Sequence, residues 1–471
     1  MKTNTRRDFL KKSIIGGFAI GATGILGCTG QNPEKTRNTR KDITHPRQGK
    51  SVMGLRCDPI PTVRIGVVGL GRGGGAVYRM AHIEGTSIVA ICDIRPERVE
   101  RTQKSLSDAG RPEATAYSSS EDDWKKMCER DDIDLIYNAT PWELHVPIAL
   151  YAMEHGKHVA VEVPAALTVA DCWALVDTAE KTQRHCMMLE NCCYDFFELT
   201  TLNMARNDVF GEIYHGECAY IHDLRAAKHR KDGYYKQWRL EYSKQHTGNP
   251  YPTHGLGPVA QIMGINRGDR FDYLTSTSTN QYGLTLYAEN AFGKDSPEAK
   301  DTYRLGDMNT TLVRSLNGRT VMIQHDTTSP RPYDRIHKIS GTKGYATKYP
   351  DEKIALEPNA HEFLKPDAFK ALMEKYEHPL SKYIGEQAKE VGGHGGMDFI
   401  MDWRLIYCLR NGLPLDQDVY DAAAWSCIVE LSEQSVLDRS SAVDVPDFTR
   451  GEWKNAQPWP VIDMVNVFTY L

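Results

Sequence analysis

The chain has 471 residues, 41% hydrophobic and 25% charged, the composition of a soluble globular protein long enough for two or three domains. Its formal charge of −5 leaves no basic excess to neutralise a phosphate backbone, which excludes a nucleic-acid partner. Aromatic residues make up 9% and include 23 tyrosines, a pattern shared by ring-lined sugar pockets and by large proteins generally.

The first 27 residues read as a targeting segment. Thr5-Arg6-Arg7-Asp8-Phe9-Leu10-Lys11-Lys12 is a twin-arginine export pattern, and the apolar stretch Ser13–Gly27 is too short to span a bilayer. Ile25-Leu26-Gly27-Cys28 resembles a lipoprotein cleavage box, after which Cys28 would carry the lipid. Export to the periplasm, free or lipid-anchored to the bacterial envelope, is therefore expected, with that lipid as the one link to a membrane. Residues 1–27 hold five Lys or Arg and one Asp, so their removal takes the charge from −5 to −9. Residues 28–60 are polar, carry Pro33, Pro46 and Pro59, and read as a tether. The other ten cysteines are scattered and form no CxxC or Cys/His spacing, so they read as buried thiols with no metal site.

Val63–Val68 is a short apolar strand, followed by Gly69-Leu70-Gly71-Arg72-Gly73-Gly74 and a helix expected over 76–83. A second strand over 87–92 ends on Asp93, 24 residues after Gly69. Glycines between strand and helix, with an acid at that distance, form a dinucleotide fingerprint: backbone N–H groups meet the pyrophosphate and Asp93 the ribose, which favours NAD. Strands over 134–138, 157–161 and 185–189 alternate with helices over 143–155 and 169–181, so a parallel sheet is expected over 61–190.

From Asn191 the rhythm changes. Segments 212–222, 271–280, 309–316 and 320–328 alternate in polarity, with an Asn317-Gly318 turn between the last two. The expected fold is an α/β N-terminal Rossmann domain plus an α+β C-terminal domain, residues 191–471, with an open, largely antiparallel sheet. Closing helices are expected near 398–410 and 420–433.

Gly69–Gly74, Asp93, the run Asn138-Ala-Thr-Pro-Trp-Glu-Leu-His145 and the strand Gly156-Lys157-His158 leading to Glu162-Val163-Pro164 resemble the Gfo/Idh/MocA oxidoreductases. Dehydrogenases of that family carry Glu-Lys-Pro, whose lysine moves the proton of the oxidised hydroxyl; here that position is Val163. Glu162-Val163-Pro164, Trp142 with His145, Asn191, Tyr251-Pro252-Thr253-His254 and Gly392-Gly-His-Gly-Gly-Met-Asp398 resemble the NAD-dependent α-N-acetylgalactosaminidases of glycoside hydrolase family 109.

That resemblance implies a glycosidase acting on terminal N-acetylgalactosamine of a small molecule or glycan, using NAD without consuming it. The implied cycle oxidises C3, eliminates the anomeric substituent, adds water and returns the hydride. It assigns His254 as catalytic base assisted by Tyr251, and substrate contacts to Tyr220, Arg239, Tyr251, Pro252, Thr253, His254 and Tyr333. It assigns the cofactor to Gly69, Gly71, Arg72, Gly74, Asp93, Trp142, His145, Glu162, Val163 and Asn191, and places His394 at the pocket mouth. Two rivals stay open, a cofactor-neutral aldose–aldose oxidoreductase and a non-catalytic sugar-binding lipoprotein. Homo-oligomerisation also stays open.

Overall fold

The structure, a computed structural model, describes residues 45–458. The export segment, Cys28 and residues 29–44 lie outside the described residues. Two sheets organise the rest. The first has six strands, β1 (Val63–Val68), β2 (Thr86–Cys92), β3 (Thr115–Tyr117), β4 (Leu135–Asn138), β5 (His158–Val161) and β6 (Cys186–Met188), in the order β3-β2-β1-β4-β5-β6. All pairs are parallel. Short runs of valine, isoleucine and leucine fill it because helices cover both faces.

The register aligns the carboxyl ends. Val68 pairs with Cys92 and with Asn138, Asn138 with Val161, and Val161 with Met188. The residues that follow, Gly69, Asp93, Ala139 and Glu162, are thereby gathered at one edge, with Glu190 two residues beyond β6. The strand order reverses between β1 and β4, where parallel sheets of this kind open a ligand crevice.

The second sheet has eight strands: β7 (Ile213–Ile221), β8 (Phe271–Ser278), β9 (Asn309–Ser315), β10 (Thr320–Asp326), β11 (Lys338–Gly341), β12 (Gly344–Thr347), β13 (Lys353–Leu356) and β14 (Val443–Asp444). Their order is β13-β12-β11-β7-β10-β9-β8-β14, and only β7 and β10 run parallel. The Asn317-Gly318 turn joins β9 to β10 as a hairpin.

Several boundaries differ from the sequence reading. The helix after Gly69 begins at Leu70 and runs to Ala81, because the strand end already fixes the glycine-rich turn. A helix spans Thr253–Met263 and places His254 in its first turn. Residues 45–60 are not a free tether. His45 stacks on Trp173 at 4.3 Å, Arg47 pairs with Glu180 at 3.4 Å, and the Ser51 hydroxyl lies 3.3 Å from that of Tyr420. The ten described cysteines are all free, and only Cys57 is part-exposed. Among the described residues no helix is long and apolar enough to cross a membrane.

Candidate active site

A cleft of about 1020 Å³ opens at the switch point, large for a small-molecule site. Gly69, Gly71 and Arg72 line one wall. Gly69 has φ 86°, and a Cβ there would meet the Ala139 carbonyl oxygen at 2.5 Å, so only glycine lets β1 and β4 come this close. Helix Leu70–Ala81 starts on Gly69 without a side-chain cap from that residue and without acids in its first turn; the Leu70 N–H donates to Asp93, and the Gly71 and Arg72 N–H groups are left for an anion. Gly74 does not reach the cleft; it faces Thr102, with 3.5 Å left for a Cβ.

Asp93 lines the cleft beyond β2. One carboxylate oxygen accepts from the Leu70 N–H at 2.7 Å and the Arg98 guanidinium at 3.3 Å, the other from the Arg95 N–H at 2.9 Å. An ionised carboxylate has about four acceptor sites, so capacity for a ribose hydroxyl remains. An uncapped helix start, close-approach glycines and this carboxylate together fit a dinucleotide.

Glu162 and Val163 follow β5. Glu162 accepts from Arg72 at 3.0 Å, and Arg72 also reaches Asp398 at 3.2 Å. Val163 is buried, and its carbonyl accepts from the Trp142 indole at 3.1 Å. The His145 ring lies between two carbonyls, Pro164 at 2.8 Å and Thr140 at 2.9 Å. Burial lowers its pKa despite those hydrogen bonds. Trp142 and His145 therefore line the cleft while their polar atoms pin the strand exit. Asn191 is buried off the cleft wall and donates to Asp398 at 2.5 Å, which makes it a prop of that wall rather than a lining residue.

The opposite wall comes from the second sheet and helix Thr253–Met263. His254 Nδ1 lies 2.7 Å from Glu190 Oε1, and Nε2 has no hydrogen-bond partner among the described residues. Gly257 allows this contact, because a Cβ there would sit 2.7 Å from Glu190 Cγ. Glu190 is fully buried and also accepts from the Cys192 N–H at 3.1 Å. Burial pushes its carboxyl up, but the charge and hydrogen bond of His254 win, and its pKa is lowered.

The Tyr251 ring stands edge-on to His254 at 4.9 Å, and Tyr220 lies 4.6 Å from Tyr251 and 5.4 Å from His254. Burial raises both phenols, Tyr220 to about 12. The Arg239 guanidinium packs on four rings, Trp238 at 4.5 Å, Trp142 and Tyr251 at 4.9 Å and Tyr234 at 5.0 Å, while its buried Nε lacks a partner among the described residues. Tyr333 stands at the rim, 40% exposed and 6.2 Å from the Tyr220 ring, beside the lined cavity rather than in it. Pro252 and Thr253 are buried and shape the turn into the helix without lining the cleft. His394 does line it, half-exposed, with Nδ1 2.9 Å from Asp398.

Glu190, Cys192 and His254 each bring one potential ligand atom within 4.8 Å of the others. Arg335 donates to the Cys192 sulfur at 3.2 Å, and that fixed positive charge opposes a cation there. Sequence reasoning missed Glu190, Tyr234 and Trp238. For Glu190 a signal existed, a carboxylate just past the end of a parallel strand, where ligand crevices open.

Residues 63–190 match the family described as an oxidoreductase family with an NAD-binding Rossmann fold, and residues 194–455 match the C-terminal domain of glycosyl hydrolase 109. An α-N-acetylgalactosaminidase of Bacteroides fragilis is 57% identical over 407 residues, covering 86% of this chain and 96% of that one. A glycosyl hydrolase family 109 protein of Porphyromonas gingivalis is 52% identical, covering 86% and 88%. A levoglucosan dehydrogenase solved with NADH and levoglucosan superposes with a TM-score of 0.62 at 18% identity, over 82% of this chain and 100% of that one. An aldose–aldose oxidoreductase of Caulobacter crescentus gives 0.57 at 17%, over 82% and 100%. Those two structures share the fold; the identity across both halves of the chain decides the family, and this protein belongs to glycosyl hydrolase family 109, an enzyme family built here on an NAD-binding Rossmann fold.

Proposed function

We propose that the protein hydrolyses terminal α-linked N-acetylgalactosaminides through an NAD-dependent cycle that leaves the cofactor unchanged. The observation that carries this reading is the pairing of Val163, buried where related dehydrogenases hold a lysine, with a carboxylate-backed His254 across the same cleft. The name of the Bacteroides fragilis relative supports the sugar. The carboxylates past β5 and β6 do not suit a paired-carboxylate hydrolase: Glu162 is held by Arg72, and Glu190 lies behind an imidazole.

Gly71, Arg72 and Asp93 would hold NAD⁺, which would supply a reversible hydride acceptor for C3 of the sugar and so make the C2 proton acidic. His254 takes a proton on this side of the ring through Nε2. The Tyr220 and Tyr251 hydroxyls, kept protonated by burial, are neutral donors for the oxygen that gains charge. Arg239, held flat among its rings, lines the cleft and offers its guanidinium to a sugar oxygen. His394 is the other imidazole on the wall that is not held between backbone carbonyls, and it serves the departing oxygen and the incoming water. Asp93 accepts from ribose hydroxyls and repels a 2′-phosphate, which selects NAD over NADP. Twin-arginine export of the folded, loaded protein suits a cycle that never releases reduced cofactor.

The test is release of p-nitrophenol from a panel of N-acetylhexosaminides without an acceptor sugar. The α-galacto substrate is expected to turn over, with activity lost on stripping the dinucleotide and restored by NAD⁺. Turnover that requires a second sugar as acceptor would instead identify an aldose–aldose oxidoreductase.

A further inference from the structure

We infer that Glu190 is a positioning residue for His254, selecting the imidazole tautomer that turns a basic Nε2 to the cleft. The inference rests on the reading of His254 as the base. An ionised carboxylate can only accept, so at 2.7 Å the proton between the two groups belongs to His254 Nδ1. The neutral ring then carries its lone pair on Nε2, the nitrogen without a partner among the described residues. When Nε2 takes a proton from substrate, the ring becomes cationic against a buried negative charge, which stabilises it. The same arrangement orients the imidazole of serine hydrolases.

The surroundings leave this role to Glu190. Cys192 approaches from the turn after β6, but its thiol is pushed far up by burial and bound by Arg335. Tyr220 comes from β7, His222 from the residue after it and Tyr251 from the segment before the helix; the two phenols are neutral, and burial lowers the His222 pKa. Glu190 is thus the one anion in hydrogen-bond contact with the ring among the described residues. Besides His254, Glu190 Oε1 accepts from the Cys192 N–H of its own turn at 3.1 Å, and the Thr253 hydroxyl lies beside the carboxylate.

The experiment compares Glu190→Gln, Glu190→Asp and His254→Ala by the pH profile of kcat/KM and by bound dinucleotide. Glu190→Gln is expected to lose roughly 100-fold or more, within the span of general base catalysis, and to move the acid limb to lower pH because the imidazolium loses its counter-charge. Glu190→Asp keeps the charge and is expected to leave the limb in place. Glu190→Gln should cost nothing further in a His254→Ala background. A Glu190→Gln enzyme within about threefold of the parent, or slower with an unmoved limb, would overturn the inference while His254 stands. An active His254→Ala enzyme would overturn the reading beneath it. If Glu190→Gln does not fold, ¹⁵N spectra of histidine-labelled parent protein decide: a proton on Nδ1 of His254 supports the assignment, and a proton on Nε2 alone refutes it.

Discussion

At position 163 an isopropyl group occupies the place where related dehydrogenases carry an amine, and its surroundings are built for it. The Val163 carbonyl is held by Trp142, and the side chain is buried. A lysine there would bury a charge that no carboxylate faces unless Glu162 left Arg72, a costly exchange. Val163→Lys is therefore expected to lose most glycosidase turnover without gaining steady NADH production, read by p-nitrophenol release and absorbance at the nicotinamide band. NADH accumulation with intact glycosidase activity would contradict this account of the position. Residues of this kind were legible in sequence where spacing along one strand sets them, as for Gly69, Asp93 and Glu162. The contact of Glu190 with His254 was not, since the two lie 64 residues apart and the approach depends on Gly257.

The parallel strands were readable because apolar runs and flanking glycines coincide, whereas β11, β12 and β13 are four residues each and too short to carry a period. The start of helix Thr253–Met263 is hidden from sequence because Gly255, Gly257 and Pro258 argue against helix locally. Packing overrides them: a Cβ at Gly255 would meet the Ala219 N at 2.5 Å, so the glycines are the fit to β7 rather than a break. The start of β5 and the residue before the edge strand β6 hold a second feature hidden from sequence. His158 and His185 are buried with rings 5.0 Å apart. Burial, then neighbouring positive charge, lowers His158 to about 3 and His185 to about 4. Unfolding frees both rings to bind protons near the ordinary value of about 6.5, so the unfolded state gains protons that the folded state refuses. Stability should then fall as pH drops from about 6.5 toward 4, by roughly 1–2 kcal/mol per histidine at pH 5. Urea midpoints at pH 7 and 5 test this, and His158→Gln should narrow the gap; an equal gap in parent and variant would contradict it.

At the scale of the whole molecule the two sheets do not stand apart. Helix Met397–Asn411 leans on the nucleotide-binding side, where Arg79 donates to Asp402 at 2.7 Å and Asn191 to Asp398. Ala165 donates to Ser426 at 3.1 Å, and the segment from His45 crosses to Tyr420 and Thr449. The linear division at residue 190 captures the change of sheet and misses this return of the C-terminal helices, because ion pairs between distant segments leave no periodic trace. The consequence for function is a cofactor wall braced from the C-terminal helices, with Arg72 joining Glu162 to Asp398. The central claim, oxidation at C3 followed by loss of the C2 proton, is tested most directly with a p-nitrophenyl α-N-acetylgalactosaminide deuterated at C2, under conditions where chemistry limits the rate. The account predicts a primary isotope effect, and its loss together with turnover in His254→Ala that still holds the dinucleotide. Turnover of the deuterated substrate at the unlabelled rate, with deuterium fully retained at C2 of the product, would contradict it, since a paired-carboxylate hydrolase never breaks that bond.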